Sequence, residues 1–136
     1  MLENIKNQNV LFAIILRANY KKNGIKFFTD RDISLQLGYM NRPKGYQIDP
    51  HFHKKIEKIV NATNEALFIK SGKVKVDFYD NKKKYFASKI LKKGDVVLLI
   101  KGGHGFKMLE KSEMIEIKQG PYINDAGKVI FKSTKK

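Results

Sequence analysis

"EALFIKSGKVKVDFYDNKKKYFASKILKKGDVVLLI", residues 65–100, decides the fold. Turn signals at "SG" 71–72, "NKK" 81–83 and "KKGD" 92–95 cut it into four short runs. Val74, Val76 and Phe78 alternate with Lys73, Lys75 and Asp77. That period of two belongs to a strand with one buried face. Short strands separated by hairpin-length turns predict antiparallel pairing. Working outward, "NVLFAIIL" 9–16 is rich in branched residues and predicts a buried strand, and "IKFFTD" 25–30 a second one. "DISLQLGYM" 32–40 alternates through Ile33, Leu35, Leu37 and Tyr39 until "RPKG" 42–45 breaks it. Downstream, "EMIEIKQ" 113–119 and "KVIFK" 128–132 close the series. "HKKIEKIVNAT" 53–63 places Ile56, Ile59 and Val60 where a helical face would also fit, and is taken as a long strand and turn. Ten or so short strands without a firm helix predict an all-β sandwich or barrel.

The 136 residues are expected to form one domain. The absence of cysteine excludes disulfides and thiolate metal sites. The apolar run "VLFAIIL" 10–16 is too short to span a bilayer, and "MLENIKNQ" 1–8 does not read as a signal peptide, so a cytoplasmic protein is expected. The formal net charge of +15 admits nucleic acid as a partner. Two features favour a solvated surface instead. The charge is nearly all lysine, with only Arg17, Arg31 and Arg42 as arginine, and the lysines are spread along the whole chain. Anionic small ligands remain compatible with it.

Two of the three histidines stand one residue apart in "GYQIDPHFH" 45–53. On a strand, His51 and His53 would project to the same face, close enough to share a metal ion. Neutral imidazole binds zinc, iron, nickel and copper.

The surrounding spacing adds to this. Gly45 precedes His51 as Gly-x5-His-x-His, Glu65 and Gly72 stand as Glu-x6-Gly, and Gly94 leads through a β-rich run into "KGGHGF" with His104. Over residues 45–120 this pattern resembles the cupin superfamily, small β-barrels that carry two short metal-binding motifs. The first is Gly-x5-His-x-His-x3 or x4-Glu-x6-Gly, and the second is Gly-x5-Pro-x-Gly-x2-His-x3-Asn. The chain departs from both. Eleven residues separate His53 from Glu65. Glu57 holds the family spacing but is followed by Asn64 where glycine would stand. Ile100 replaces the proline, the glycine turn is one residue shorter, and Met108 replaces the asparagine. Glu65 shares parity with Leu67 and Ile69, which favours it over Glu57.

The resemblance implies a cupin-type β-barrel, a double-stranded β-helix akin to a jelly roll. Residues 1–136 would be one domain, with N-terminal strands in 1–40 and the barrel core in 45–120. It also implies one divalent ion (Fe, Mn, Ni or Zn) held by His51, His53, Glu65 and His104. Three imidazoles and a carboxylate leave two positions of an octahedral ion open to substrate. Glu116 and Lys118 share a strand face and would act as acid or base and anion anchor. The function implied is a metal-dependent isomerase or epimerase acting on a small, polar, anionic metabolite of the carbohydrate or nucleotide-sugar type. An iron dioxygenase and a non-catalytic ligand-binding module are the alternatives, with a basic nucleic-acid binder behind them. Cupins often dimerise by strand exchange, and "NVLFAIIL" is the candidate strand for a homodimer.

Overall fold

A computed structural model describes residues 1–135, leaving aside the side chains of residues 125 and 126. It is all-β: β1 (Leu2–Asn7), β2 (Val10–Leu16), β3 (Gly24–Phe27), β4 (Gly38–Asn41), β5 (Glu65–Ser71), β6 (Lys73–Tyr79), β7 (Tyr85–Lys92), β8 (Val96–Leu99), β9 (Gly103–Met108) and β10 (Glu113–Lys118). One short 3-10 turn follows at Asn124–Gly127. Three sheets form, ordered β1-β2-β8-β5-β10, β3-β4 and β7-β6-β9, and every paired strand is antiparallel. The two larger sheets face each other across a shared core, with β1, β10, β7 and β9 as their edges, and the strand pairing among the described residues is that of separate sheets.

The alternation read from residues 73–78 sets the packing. Val74, Val76 and Phe78 on β6 meet Leu67 and Ile69 of β5 and Val97 and Leu99 of β8 in one core. Lys73, Lys75 and Asp77 point to the other side of the smaller sheet, because successive strand side chains alternate. Burying a large aliphatic or aromatic side chain here contributes about 1.5–3 kcal/mol. Ile14, Leu98 and Ile100 form a second core on the outer face of the larger sheet.

Residues 28–37 cover that outer face. Phe28, Ile33, Leu35 and Leu37 pack on it, yet only residues from Gly38 onward join a strand. The alternation through Ile33, Leu35 and Leu37 is therefore a plug of apolar side chains, and only its end at Tyr39 lies in a sheet ladder. "NVLFAIIL" is the strand expected, but β2 lies between β1 and β8 with both backbone edges paired. "KVIFK" 128–132 is not a strand. Its Phe131 instead packs edge-on against Tyr79, ring centroids 5.1 Å apart.

Residues 42–64 contain neither helix nor strand, and every residue from 42 to 63 is exposed. The strand expected for His51 and His53 and the long strand expected over 53–63 are both absent. Pro43 and Pro50 lack backbone donors, and no other segment pairs with this one. Without a partner strand, its backbone stays with solvent.

Candidate active site

At one end of the sandwich, charged side chains replace the apolar ones that fill the interior. Register explains how. On β5, Glu65 continues the inward row of Leu67 and Ile69, both buried. It stands beside Leu99 of β8 on one side and Lys118 of β10 on the other. Glu116 lies one inward position along β10, opposite Leu67. From the facing sheet, β9 turns His104 inward opposite Phe78 of β6. The two sheets thus bring Glu65, His104, Glu116 and Lys118 together.

The closest contact joins the sheets. His104 Nε2 donates to Glu65 Oε1 at 2.8 Å, with the glutamate side chain 14% exposed and the imidazole 31%. Lys118 Nζ lies 3.7 Å from Glu116 Oε1. Phe106 places its ring 5.5 Å from that of His104 and closes the inner side. The hydrogen bond from His104 holds the Glu65 carboxyl below the usual glutamate range. Burial works against it, while a hydrogen bond with Glu116 and the charges of His104 and Lys118 reinforce it.

Asn64 ties this end together. It is 3% exposed. Its Nδ2 donates to the Ile100 carbonyl at 2.8 Å, and its backbone N–H donates to Gln119 Oε1 at 2.9 Å. Its Oδ1 accepts longer bonds from Ser34 Oγ, 3.3 Å, and Leu35 N, 3.4 Å. One residue thus links the start of β5, the end of β8 and the end of β10, where Tyr122 also approaches Lys118, Nζ to ring centroid 6.0 Å. The sequence reading passed over Asn64, Gln119 and Tyr122. For Asn64 and Gln119 the only signal was adjacency to Glu65 and Lys118.

Of the sequence-derived ligands, Glu65 and His104 meet, while His51 and His53 lie on the exposed 42–63 segment with rings 5.4 Å apart. Glu57 is exposed on the same segment. Among the described residues no three His, Asp or Glu side chains gather where one ion could be held. The four residues as placed are not gathered round one point, because Glu65 and His104 meet between the sheets while His51 and His53 lie on the exposed segment. The cofactor and ligand set read from the resemblance therefore do not follow from this arrangement.

The arrangement is suited to moving a proton. A neutral ring that donates its Nε2–H to Glu65 keeps its lone pair on Nδ1. A carboxylate that fixes the tautomer of an imidazole is the pairing used in acid–base catalysis. Lys118 and Glu116 add an ammonium and a second carboxyl beside it. The two clearest hollows lie elsewhere, about 310 Å³ beside Asp80, Gly103 and Phe131 and about 770 Å³ beside Arg17, Lys73, Lys92 and Asp95.

No family model matches the chain, nor does any curated protein or solved structure. No helix among the described residues is long and apolar enough to cross a membrane.

Proposed function

We propose that the chain binds a small anionic metabolite, of the carbohydrate or nucleotide-sugar type, at the Glu65–His104 end of its sandwich and transfers a proton on it. The 2.8 Å contact between Glu65 and His104, made across the two sheets at the end of the apolar core, carries this reading. Glu65 orients the ring, and His104 Nδ1 takes a proton from a carbon next to a carbonyl. Lys118 holds the anionic part of the substrate, and Glu116 returns or relays a proton. An isomerase or epimerase would need this set. Incubation of the protein with a panel of sugar phosphates and nucleotide sugars in D2O tests it. Deuterium should enter carbon-bound positions of at least one compound, and His104→Ala should abolish the exchange. A panel with no exchange, and no member raising the melting temperature, refutes the reading.

One observation favours a metal-dependent version. His51 Nδ1–H donates to the Asp49 carbonyl at 2.8 Å, which leaves Nε2 with a free lone pair. Ligating imidazoles are commonly held this way. A single ion on His51, His53, Glu65 and His104 would require residues 42–63 to fold over the end of β5. Elemental analysis of the purified protein beside His53→Ala and His104→Ala decides it. One equivalent of metal lost in both variants carries the metal version, and no metal under any loading condition removes it. A homodimer would pair at an edge such as β10, where Ile115 and Ile117 are exposed, and a monomer mass by light scattering would exclude it.

A further inference from the structure

The lysines, scattered along the sequence, are gathered by the fold. On the outer face of the β7-β6-β9 sheet, Lys73 stands directly opposite Lys92, and Lys75 directly opposite Lys107. Like charges directly opposite each other across strands are destabilising. Here two such pairs occupy successive rows of one small face, about 6.6 Å apart at two residues of strand rise. β9 adds only Gly105 and Gly103 to the next rows, where Phe131 packs over Gly103 and Tyr79 and closes the face at that end. Lys135 extends it, with Nζ 5.1 Å from the Tyr85 ring centroid.

Few carboxylates answer this charge. Lys73 reaches Glu110 at 3.3 Å, and Asp77 is shared between Lys75, at 3.8 Å, and Lys135, at 3.1 Å. Lys92, Lys93 and Lys107 have no ion pair among the described residues. The face runs into the 770 Å³ hollow, which shares Lys73 and Lys92 and adds Lys93 and Lys89, the latter 3.8 Å from Glu3. The acid there, Asp95, is already bonded to Arg17 at 2.9 Å and to the backbone N–H groups of Ala18 and Lys92.

We propose that this face and the hollow beside it bind the phosphodiester backbone of a single-stranded nucleic acid. A row of ammonium groups at strand spacing runs parallel to a chain of phosphates. A bound polyanion would also relieve the lysine–lysine oppositions that the folded chain otherwise tolerates. Base-reading groups are sparse. Exposed Ile90 and half-buried Tyr85 are the side chains placed to touch bases, so the binding is carried by charge and is indifferent to sequence. The site lies on the opposite face of the sheet from His104 and does not depend on the proton-transfer reading.

The test uses fluorescence anisotropy with labelled oligo(dT) and oligo(U) and the full chain carrying Lys92→Glu and Lys107→Glu. Each substitution places a carboxylate opposite a lysine, so the double variant should melt higher than the parent. It should bind at least 10-fold more weakly. A gain in stability together with a loss of binding cannot come from unfolding. Lys54→Glu with Lys58→Glu, on the exposed 42–63 segment, changes net charge equally and should shift affinity less than about 3-fold. The parent should lose affinity with salt at a slope near −3 for four phosphate contacts, and the Lys92/Lys107 variant at a slope about 1.4 shallower. Equal losses in the two double variants overturn the proposal. So does binding to phosphatidylserine vesicles with no retention of either oligonucleotide, or no binding by the parent at 50 mM salt.

Discussion

Replacing Asn64 with alanine should lower the melting temperature by about 6–20 °C, on the size-scaled expectation of about 3–5 °C for each kcal/mol. The magnitude follows from the bonds removed. The 2.8 Å bond to the Ile100 carbonyl is the main one. Its net worth is about 0.5–1.5 kcal/mol, and a carbonyl left buried without a partner costs about 1–3 kcal/mol more. The bonds to Oδ1 at 3.3 and 3.4 Å sit at the weak end of the range and add little. The backbone bond to Gln119 survives, because it uses the main-chain N–H. The sum is about 2–4 kcal/mol. Thermal unfolding followed by circular dichroism at pH 7 reads it. Asn64→Asp gives the sharper check. It sets an ionised oxygen against the Ile100 carbonyl in a site 3% exposed. Burial raises the aspartate pKa in the folded state, so the penalty is present at neutral pH and shrinks as pH falls. Asn64→Asp should therefore be less stable than Asn64→Ala at pH 7 and recover toward it in acid. An alanine variant within about 2 °C of the parent, or an aspartate variant no worse than alanine at pH 7, refutes the account of Asn64 as the tie between β5, β8 and β10.

Glu65 has a folded-state pKa below its ordinary 4.5, so its contribution is present above that value and is lost as pH falls through the folded pKa. Glu65→Gln should flatten the acid limb of the melting-temperature profile, read by scanning fluorimetry from pH 7 downward, and an unchanged acid limb contradicts the contact. Gly102 has φ +75, and a Cβ there would meet the Tyr79 carbonyl at 2.3 Å and the Phe12 ring at 2.7 Å. Gly102→Ala should prevent folding or lower the melting temperature far more than Gly45→Ala, where φ is +86 but nothing lies within 4 Å. Comparable melting of the two by calorimetry would mean that the 100–103 turn is not packed as described.

Alternation was enough to read the sheet core and half of the site. Val74, Val76 and Phe78 declared a buried face in residues 73–78, and the same parity put Glu65 in line with Leu67 and Ile69 and paired Glu116 with Lys118. Parity says which side a residue takes once it is in a strand. It does not say that a strand forms. Ile33, Leu35 and Leu37 alternate without joining a ladder, since their side chains plug a sheet whose backbone is already paired. His51 and His53 share a parity that means nothing in a segment with no pairing partner. β1 escaped notice because "LENIKN" has a single buried residue, Ile5, and little apolar pattern. Asn64 and Gln119 were unreadable for a different reason, because their roles depend on which carbonyl and which strand end lie across from them. The lysines misled in the same way. Dispersal along the chain said nothing about dispersal in space, because neighbouring strands place residues 73 and 92, or 75 and 107, side by side.

Whether the cluster at the end of the sandwich serves function or only structure is decided by removing it whole. Glu65 stands in an inward row whose other members are apolar, so leucine fits the pattern at that position. His104 faces Phe78 and touches Phe106, so leucine fits there too. Breaking a buried pair by truncating one partner costs about 3–5 kcal/mol, whereas replacing both with apolar groups is often neutral or stabilising by about 1–4 kcal/mol. The side chains here are 14% and 31% exposed, so both effects are discounted for solvent, the first to about 1–3 kcal/mol. His104→Ala should lower the melting temperature. The double variant Glu65→Leu with His104→Leu should match or exceed the parent, and should lose all deuterium exchange with the metabolite panel. That result would mean the chain gives up stability to keep a carboxylate and an imidazole at the end of its core, as a site for chemistry does. A double variant less stable than the single one would instead make the pair a structural clasp between the two sheets, and the proton-transfer reading would fall with it.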